Sequence, residues 1–187
     1  MCKSKYFIIF LFLFVMNLVV KSQTLKVGLR YEPGILMVDN VGKSELTPAI
    51  FSISGNALFT PVEWIDLEIR PGFVSVGEDY SGFDVGLFAR FKIIPTSFYL
   101  IAGINNHSNK EYSNNSGGSY SKNMLYKSIG IGYYFDTKFN VDISYYWTSN
   151  KNFAYLKETD WLTYSKIIDK QLDGIIKIGL NLSWDVL

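Results

Sequence analysis

The segment IDLEIRPGF, residues 65–73, is the clearest guide to the fold. Within it, apolar and charged residues alternate one for one from Ile65 to Arg70. A repeat of two is typical of a β-strand with one apolar and one polar face, whereas a helix places its apolar residues at three- and four-residue spacing. The segment therefore predicts a β-strand that separates an apolar environment from a polar one.

The same alternation recurs on both sides of this segment. It predicts eight strands, at about residues 25–31, 47–54, 65–73, 83–91, 98–105, 126–135, 139–147 and 176–184. The strand at residues 47–54 is the least regular, because Pro48 near its start lacks the N–H group that strand pairing uses. Helical spacing of useful length is not found after Gln23, so the sequence predicts an all-β domain.

The N-terminal segment has the features of a cleaved signal peptide. A basic start with Lys3 and Lys5 precedes a run from Phe7 to Val20 that is apolar except for Asn17. This run is shorter than the about 20 apolar residues that a membrane-spanning helix needs, although an uncleaved anchor is an alternative. The sequence thus divides into a signal peptide at residues 1–22 and one domain at residues 23–187.

Charge and composition argue against several classes of function. The chain has 18 Lys and Arg against 17 Asp and Glu and contains no basic tract, so nucleic-acid binding is not expected. Its one cysteine, Cys2, lies in the predicted signal peptide, and its one histidine is His107. Because metal sites commonly combine several His or Cys ligands, neither a metal nor another cofactor is predicted.

The predicted connections alternate in length, which favours a membrane barrel over a soluble β-sandwich. The long connections cover residues 32–46, 106–123 and 149–172, and the short ones cover residues 93–96 and 136–138. Membrane barrels have short turns at one end and longer loops at the other. The connection at residues 75–80 is short for an outer loop and fits this pattern less well.

Aromatic and glycine residues occupy opposite faces of the predicted strands. Aromatic residues on the apolar face gather at strand ends, as in the two girdles of membrane barrels: Phe91, Phe98, Phe135, Phe139 and Trp184 near the short turns, and Tyr31, Phe73, Phe83, Tyr145 and Trp147 at the other end. The glycines on the polar face are Gly28, Gly72, Gly86, Gly103, Gly130, Gly132 and Gly179. A narrow barrel needs such small residues beside large ones. The sequence therefore predicts an eight-stranded antiparallel up-and-down transmembrane β-barrel, with a soluble all-β domain as the alternative.

The last predicted strand resembles the C-terminal assembly signal of bacterial outer-membrane barrels. Lys177, Gly179, Leu182 and Trp184 occupy the positions of its polar residue, glycine and final alternating hydrophobic residues, although three residues follow the aromatic residue with which that family usually ends. The architecture is similar to the small barrels of the OmpX kind and to the membrane domain of the OmpA family. This resemblance implies location in the bacterial outer membrane, with the barrel-assembly machinery, lipid and lipopolysaccharide as partners.

The polar face of the strands is predicted to line the barrel interior and to form a network of charges. Its members are Lys26, Arg30, Asp66, Glu68, Arg70, Asp84, Arg90, Asp142 and Lys177. An unpaired charge in a narrow lumen is costly, so the near balance of signs favours ion pairs that plug the barrel. A narrow gated channel of porin-like function is the alternative.

His107 is the one candidate for a catalytic residue, and it lies in a segment predicted to be a loop. Lipid A deacylases of eight-stranded fold use a histidine and a serine at the outer rim, which makes a lipid A-modifying hydrolase a second alternative. Here His107 and Ser108 are adjacent, however, and consecutive strand residues point to opposite faces. We therefore predict an ordinary polar loop histidine, no catalytic residue and no enzyme.

The two longest connections, at residues 106–123 and 149–172, combine polar residues with spaced aromatic residues. This composition suits surface recognition by flexible loops, and extension of the strands above the membrane is the alternative. The sequence therefore predicts a barrel with a structural or surface-binding role of the adhesion type.

Overall fold

The computed structural model describes residues 24–40, 42–159 and 165–186, so the predicted signal peptide lies outside the described residues. These residues form antiparallel β-strands: β1 (Thr24–Tyr31), β2 (Gly34–Asn40), β3 (Lys43–Ala49), β4 (Phe51–Val62), β5 (Ile65–Val76), β6 (Tyr80–Lys92), β7 (Phe98–Asn109), β8 (Tyr112–Ser113), β9 (Gly117–Ser119), β10 (Lys122–Tyr134), β11 (Phe139–Trp147), β12 (Asn152–Thr159) and β13 (Ser165–Asp185). In this described part of the chain, no helix is long and apolar enough to cross a membrane.

Eight of these strands form a closed barrel. Neighbouring strands around it follow the order β1, β4, β5, β6, β7, β10, β11 and β13, each antiparallel to the next. The ring closes where β1 pairs with β13, from Lys26 opposite Asp185 to Tyr31 opposite Leu180. The predicted all-β fold and eight-stranded up-and-down barrel are therefore confirmed.

The barrel strands bury their polar face and expose their apolar face. On β5, Glu68 and Arg70 are each 2% exposed, whereas Leu67 and Ile69 are 47% and 43% exposed. A soluble sandwich would bury its apolar residues instead, because apolar burial is what stabilises a fold in water. The barrel is thus built for an apolar surrounding, and the soluble alternative is wrong.

The two ends of the barrel differ. At the short-turn end, the connections are residues 63–64, 93–97 and 135–138. At the opposite, long-loop end, β13 continues beyond the barrel and pairs with β2 on one side and with β12 on the other. The hairpin of β2 and β3 and the short strands β8 and β9 complete this extension, which we call the outer sheet.

Three connections that the sequence predicts as loops contain strands of the outer sheet, so these loop predictions are wrong. The connection at residues 32–46 contains β2 and most of β3, and the connections at residues 106–123 and 149–172 contain β8, β9, β12 and the beginning of β13. The backbone of these segments pairs although their side chains are too polar to show a hydrophobic repeat of two. For residues 106–123 and 149–172, the structure agrees with the alternative prediction, in which the barrel strands continue beyond the membrane.

The second predicted strand, at residues 47–54, is also wrong in its bounds. The structure has two strands here, Lys43–Ala49 and Phe51–Val62, and both exceed the predicted segment. Gly55 and Ala57 lie on the outward face of the longer strand, and both are weak strand formers. Because Gly55 and Ala57 are small, the pattern of large apolar residues at every second position ends before them, and the sequence predicts no strand there.

Candidate functional site

Arginine–carboxylate pairs occupy the centre of the barrel. Glu68 on β5 accepts hydrogen bonds from Arg90 on both carboxylate oxygens, at 2.8 and 2.9 Å. Arg70, also on β5, donates to the same carboxylate at 2.6 Å, and Asn56 on β4 adds a bond of 2.9 Å. Glu68, Arg70 and Arg90 are all buried. Charge-assisted bonds of this kind are roughly twice as strong as neutral ones, so the group forms a rigid centre.

Arg30 extends this cluster across the lumen. It lies on β1 and donates to Glu32 and to Asp142, in both cases at 2.6 Å. Arg70 also reaches Glu32, at 3.3 Å, which joins the two groups of charges. Tyr99 on β7 donates to Asp142 at 3.1 Å. Side chains from opposite walls of the barrel are therefore tied together through its middle.

A second group of charges lies toward the short-turn end. Asp66 on β5 pairs with Lys92 at 2.7 Å and accepts a hydrogen bond from the Tyr134 hydroxyl at 2.7 Å. Lys26 lies at the mouth of the barrel, where it pairs with Asp185 at 3.3 Å. Lys92 and Lys26, near this end, are therefore partly accessible to water, unlike the buried charges of the centre.

A third group lies between the centre and the long-loop end. Asp84 on β6 accepts hydrogen bonds from Lys177 on β13, at 3.2 Å, and contacts Nδ1 of His107 on β7 at 2.6 Å. The imidazole of His107 stacks on the ring of Tyr80, with the ring centroids 4.2 Å apart. All these side chains are buried, so His107 is an interior residue held by a carboxylate and an aromatic ring.

The prediction of His107 as a polar loop residue is therefore wrong. The segment that carries it continues β7 beyond the predicted end of that strand, and its inward position places the imidazole in the lumen. Ser108 points to the opposite face, where its hydroxyl donates to Asn123 at 2.8 Å. The histidine–serine contact that the lipid A hydrolase hypothesis requires is not formed in the structure.

The structure places all nine predicted members of the charge network on inward positions. Eight are buried, and Lys26 lies at the short-turn mouth. Sequence reasoning missed Glu32, Lys92 and His107, which all belong to the network. Glu32 continues the even-numbered polar series that includes Arg30, and this continuation beyond the predicted strand end could have identified it.

Inward glycines give the large interior side chains their space. A Cβ atom on Gly132 would overlap the ring of Tyr99, and one on Gly179 would overlap the guanidinium of Arg30. The small residue on one strand thus accommodates the large residue of its neighbour, as a narrow barrel requires.

An apolar belt with aromatic residues near its edges covers the outside of the barrel. Leu29, Leu87 and Ile129, on three different strands, are each more than half exposed. All predicted girdle residues lie on outward-facing positions: Tyr31, Phe73, Phe83, Phe91, Phe98, Phe135, Phe139, Tyr145, Trp147 and Trp184. The exposed rings of Phe51 and Trp64 are further members that the sequence patterns missed. Since soluble proteins rarely expose contiguous apolar patches above a few hundred Å², this belt is a membrane-facing surface.

The four residues of the predicted assembly signal lie on β13 and alternate between the two faces. Lys177 and Gly179 point into the lumen, whereas Leu182 and Trp184 point outward. Trp184 pairs in register with Val27 of β1, so this segment forms the closing seam of the barrel.

The lumen is open at both mouths and filled at its centre. A void of about 10 Å³ lies between the central cluster and the group around Asp84, and it is near the minimum for one water molecule. Cavities of about 610 Å³ and 300 Å³ lie at the short-turn and long-loop ends. Among residues 24–40, 42–159 and 165–186, the structure brings together no group of three metal-ligating side chains of the His, Cys, Asp or Glu type.

No protein-family model matches the chain, and no curated protein matches it. In structure, the chain is similar to Neisserial surface protein A, with a TM-score of 0.49 and 11% identity over 84% of this chain and 97% of the other. It is also similar to the N-terminal β-barrel domain of Pseudomonas aeruginosa OprF, with a TM-score of 0.46 and 13% identity over 86% of this chain and 100% of the other. A third similar structure is the de novo designed protein TMB2.3, with a TM-score of 0.48 and 12% identity over 87% of this chain and 97% of the other.

Proposed function

We propose that the chain is an integral β-barrel of the bacterial outer membrane, with a structural or surface-binding role and without a conducting pore. The observation that carries this proposal is the charge cluster across the middle of the barrel. Arg30, Arg70 and Arg90 are held by Glu32, Glu68 and Asp142, and all six side chains are buried. An ion that crosses this plane would have to break several strong bonds, because these side chains bridge the lumen between strands on different sides of the barrel.

The outer membrane is the appropriate location for this fold. A closed barrel pairs its backbone groups between strands, which is the only way for strands to span a membrane. The apolar belt, the aromatic edges and the predicted signal peptide support export to the outer membrane, where barrels of this kind reside. The barrel-assembly machinery is the proposed partner for insertion, through the strand that carries Trp184. Lipid and lipopolysaccharide are the proposed partners of the mature barrel.

The outer sheet supplies the proposed binding surface. It projects from the long-loop end and presents paired backbone and polar side chains instead of flexible loops. The rings of Tyr155 on β12 and of Tyr120, which follows β9, lie 5.0 Å apart at an angle of 41°, and Lys157 lies over the Tyr155 ring at 5.7 Å. A rigid surface with aromatic and cationic groups loses little conformational entropy on binding, which suits recognition of a surface ligand.

Two measurements on the refolded mature protein test the proposal. A folded barrel is expected to migrate differently from the boiled protein in gels, and planar bilayers that contain it are expected to show no steady openings. The double variant Arg90→Ala, Glu68→Ala removes the central pair and serves as the matched control, because it is expected to leak. Steady, resolvable openings of the unaltered protein would instead support the narrow channel.

A further inference from the structure

The long-loop end contains a cavity that the charge network does not use. Its volume is about 300 Å³, at the lower end of the range for small-molecule sites. Two strands of the outer sheet, β2 and β3, form one wall, and β12 and β13 contribute the other side. We call this cavity the mouth pocket.

The mouth pocket is open to water on the side where β5 and β6 end, because these two strands do not continue into the outer sheet. The turn between β5 and β6 spans only residues 77–79, whereas β3 and β13 rise beyond it into the outer sheet. Gly77 makes this tight turn possible with a φ of 63°, which side chains other than glycine rarely adopt. A ligand can therefore approach from the aqueous side without displacing a strand.

The floor of the mouth pocket is apolar and well packed. It consists of Leu36, Val38, Tyr80 and Phe153, all of which are buried. The rings of Tyr80 and Phe153 meet edge to face at 5.9 Å, and Tyr80 is supported from below by its stacking on His107. Such a floor is formed in advance and favours contact with an apolar group.

The rim of the mouth pocket is acidic. It carries three carboxylates, Glu45, Glu78 and Asp79, but only one cation, Lys170. Lys170 pairs with Asp79 at 2.6 Å. Within the described part of the chain, Glu45 and Glu78 form no ion pair, and the rim therefore keeps a negative charge. Lys43 lies two residues before Glu45 on β3 and does not line the pocket.

We propose that the mouth pocket binds an amphiphilic cation. Its ammonium or guanidinium group lies at the rim with Glu45 and Glu78, and its apolar body lies on the floor. The negative rim disfavours phosphate and carboxylate ligands, whereas a cation adds a charge that the rim does not yet neutralise. Glu45 accepts a hydrogen bond from Asn40 at 3.1 Å, and this neutral partner leaves its negative charge in place. A basic side chain next to an apolar residue in a peptide has this chemistry, and so does a small aryl-alkyl amine. The inference rests on the proposed function, in that the long-loop end faces away from the cell.

Binding of three small probes to the refolded mature protein in nonionic detergent tests this inference. The probes are N-acetyl-Arg-Phe-amide, its Glu-Phe counterpart and phenylethyl-trimethylammonium, each followed by ligand-observed NMR. We expect the two cations to bind, with weaker binding at high salt, and the anionic dipeptide not to bind. Binding of only one cation still supports the proposal and identifies a peptide or a free amine as the source of the ligand.

Variants connect binding to the pocket. The double variant Glu45→Gln, Glu78→Gln is expected to weaken cation binding about tenfold, because two charge-assisted contacts are lost at a partly exposed site. Thr47→Trp lies on the outer hairpin, outside the barrel, and is expected to fill the pocket and abolish binding. Glu158→Gln makes the same type of substitution, with loss of one carboxylate, on an exposed part of β12 that does not line the pocket, and it is the control for each of the two single changes.

Two outcomes overturn the inference. One is equal binding of the cationic and anionic dipeptides, and the other is a lack of cation binding by protein that migrates as a folded barrel. In both cases the proposed function stands. Protein that shows no difference between boiled and unboiled samples and does not enter lipid bilayers would instead contradict the proposed function itself.

Discussion

Glu68 receives four hydrogen bonds in the barrel interior, from Arg70, Arg90 and Asn56. Transfer of a charge from water to the interior of a protein is costly, and only good geometry with several partners offsets that cost. The main contribution of Glu68 to stability is therefore that its negative charge offsets the cost of burying the guanidinium groups of Arg70 and Arg90. Removal of one partner from such a group costs more than the bond itself, because the remaining charges stay buried.

The variant Glu68→Gln tests this view of the interior. It keeps the size of the side chain but removes its charge, so Arg70 and Arg90 lose the carboxylate between them. We expect the free energy of unfolding to fall by about 3–5 kcal/mol, measured by urea unfolding in lipid vesicles. The exposed residue Glu158, changed to Gln, is the control and should alter stability by less than about 0.5 kcal/mol. Equal stability of both variants would show that the cluster does not hold the barrel together.

The variant Gly132→Ala tests whether inward glycines are required for packing. The added methyl group would overlap the ring of Tyr99, which is buried and bonded to Asn140 and Asp142. We expect a loss of about 1–3 kcal/mol in the free energy of unfolding, as for other overpacked interiors.

Gly55→Ala is the matched control for Gly132→Ala, because it adds the same methyl group on the outward face. The nearest atom to its Cβ is the carbonyl oxygen of Gly28, at 3.9 Å. Since alanine is less flexible than glycine in the unfolded chain, this variant should be as stable as the unaltered protein or slightly more stable. A larger loss from Gly55→Ala than from Gly132→Ala would contradict the packing argument.

The sequence predicts single interior residues well where a strand alternates without interruption. The pattern alone predicts the buried charges of β5 and β6, since each lies between outward apolar residues. The pattern does not predict which charges pair with each other. A repeat of two shows which face of the strand a residue occupies, but it does not show which side chains lie opposite it across the lumen. His107 was missed for a related reason, since the polar residues around it hide the continuation of β7.

At the scale of elements, the turn between β10 and β11 depends on one exposed carboxylate. Asp136 accepts backbone hydrogen bonds from Lys138 and Phe139, at 2.6 and 2.7 Å. The N–H groups of Phe139 and Lys138 lower the pKa of Asp136, because they stabilise its ionised form. The contribution of this carboxylate to the turn is therefore present above the ordinary pKa of aspartate and is lost as the pH falls through the lowered value.

Hydrogen exchange across this pH range tests the turn. We expect the amides of Lys138 and Phe139 to stay protected down to the ordinary aspartate pKa of about 3.9 and to lose protection only at lower pH. The variant Asp136→Asn keeps an oxygen acceptor without a titrating group, so protection of these amides should no longer depend on pH in this range. Identical pH profiles of the two proteins would rule out a role for the carboxylate.

The outer sheet is held in part by a hydrogen bond between β13 and the segment that connects β9 to β10. Tyr120 donates to Asp169 of β13 at 2.6 Å, and this bond raises the pKa of Tyr120 to about 12. In Asp169→Asn, we expect one tyrosine to titrate closer to the ordinary value of about 10 in an ultraviolet titration. Asp173→Asn is the control. It removes another carboxylate of β13, which pairs with Lys151 and not with Tyr120, and it should leave the tyrosine titration unchanged. A high pKa that persists in Asp169→Asn would show that the outer sheet is not formed as described.

The errors at the element scale share one cause. Strands inside the membrane show alternation, because lipid on one side and polar neighbours on the other demand opposite side chains. Strands of the outer sheet have water on at least one side, so β2, β3 and β12 satisfy their backbone through pairing without a regular apolar repeat. The sequence could therefore predict where the barrel lies in the membrane but not how far its strands continue beyond it.

At the scale of the whole molecule, the two ends of the barrel differ in structure. The short-turn end closes each hairpin with few residues, whereas the long-loop end carries the outer sheet and the mouth pocket. The filled centre separates these ends, so no ligand in the mouth pocket can reach the opposite mouth without breaking the charge cluster. The proposed binding at the long-loop end therefore does not require passage through the barrel.

The orientation of the barrel can be measured with single cysteines. The sequence contains only Cys2, within the predicted signal peptide, so a new cysteine would be the sole label site of the mature protein. We expect a membrane-impermeant maleimide to label Asn114→Cys, between β8 and β9, on intact cells. Thr137→Cys, in the turn before β11, should react only after the outer membrane is permeabilised. The reverse pattern would place the outer sheet and the mouth pocket inside the cell envelope, where the surface-binding role could not operate. Cells that express the unaltered protein give the background, and equal labelling of both variants before permeabilisation would contradict insertion across the membrane, because both sites would then face the same compartment.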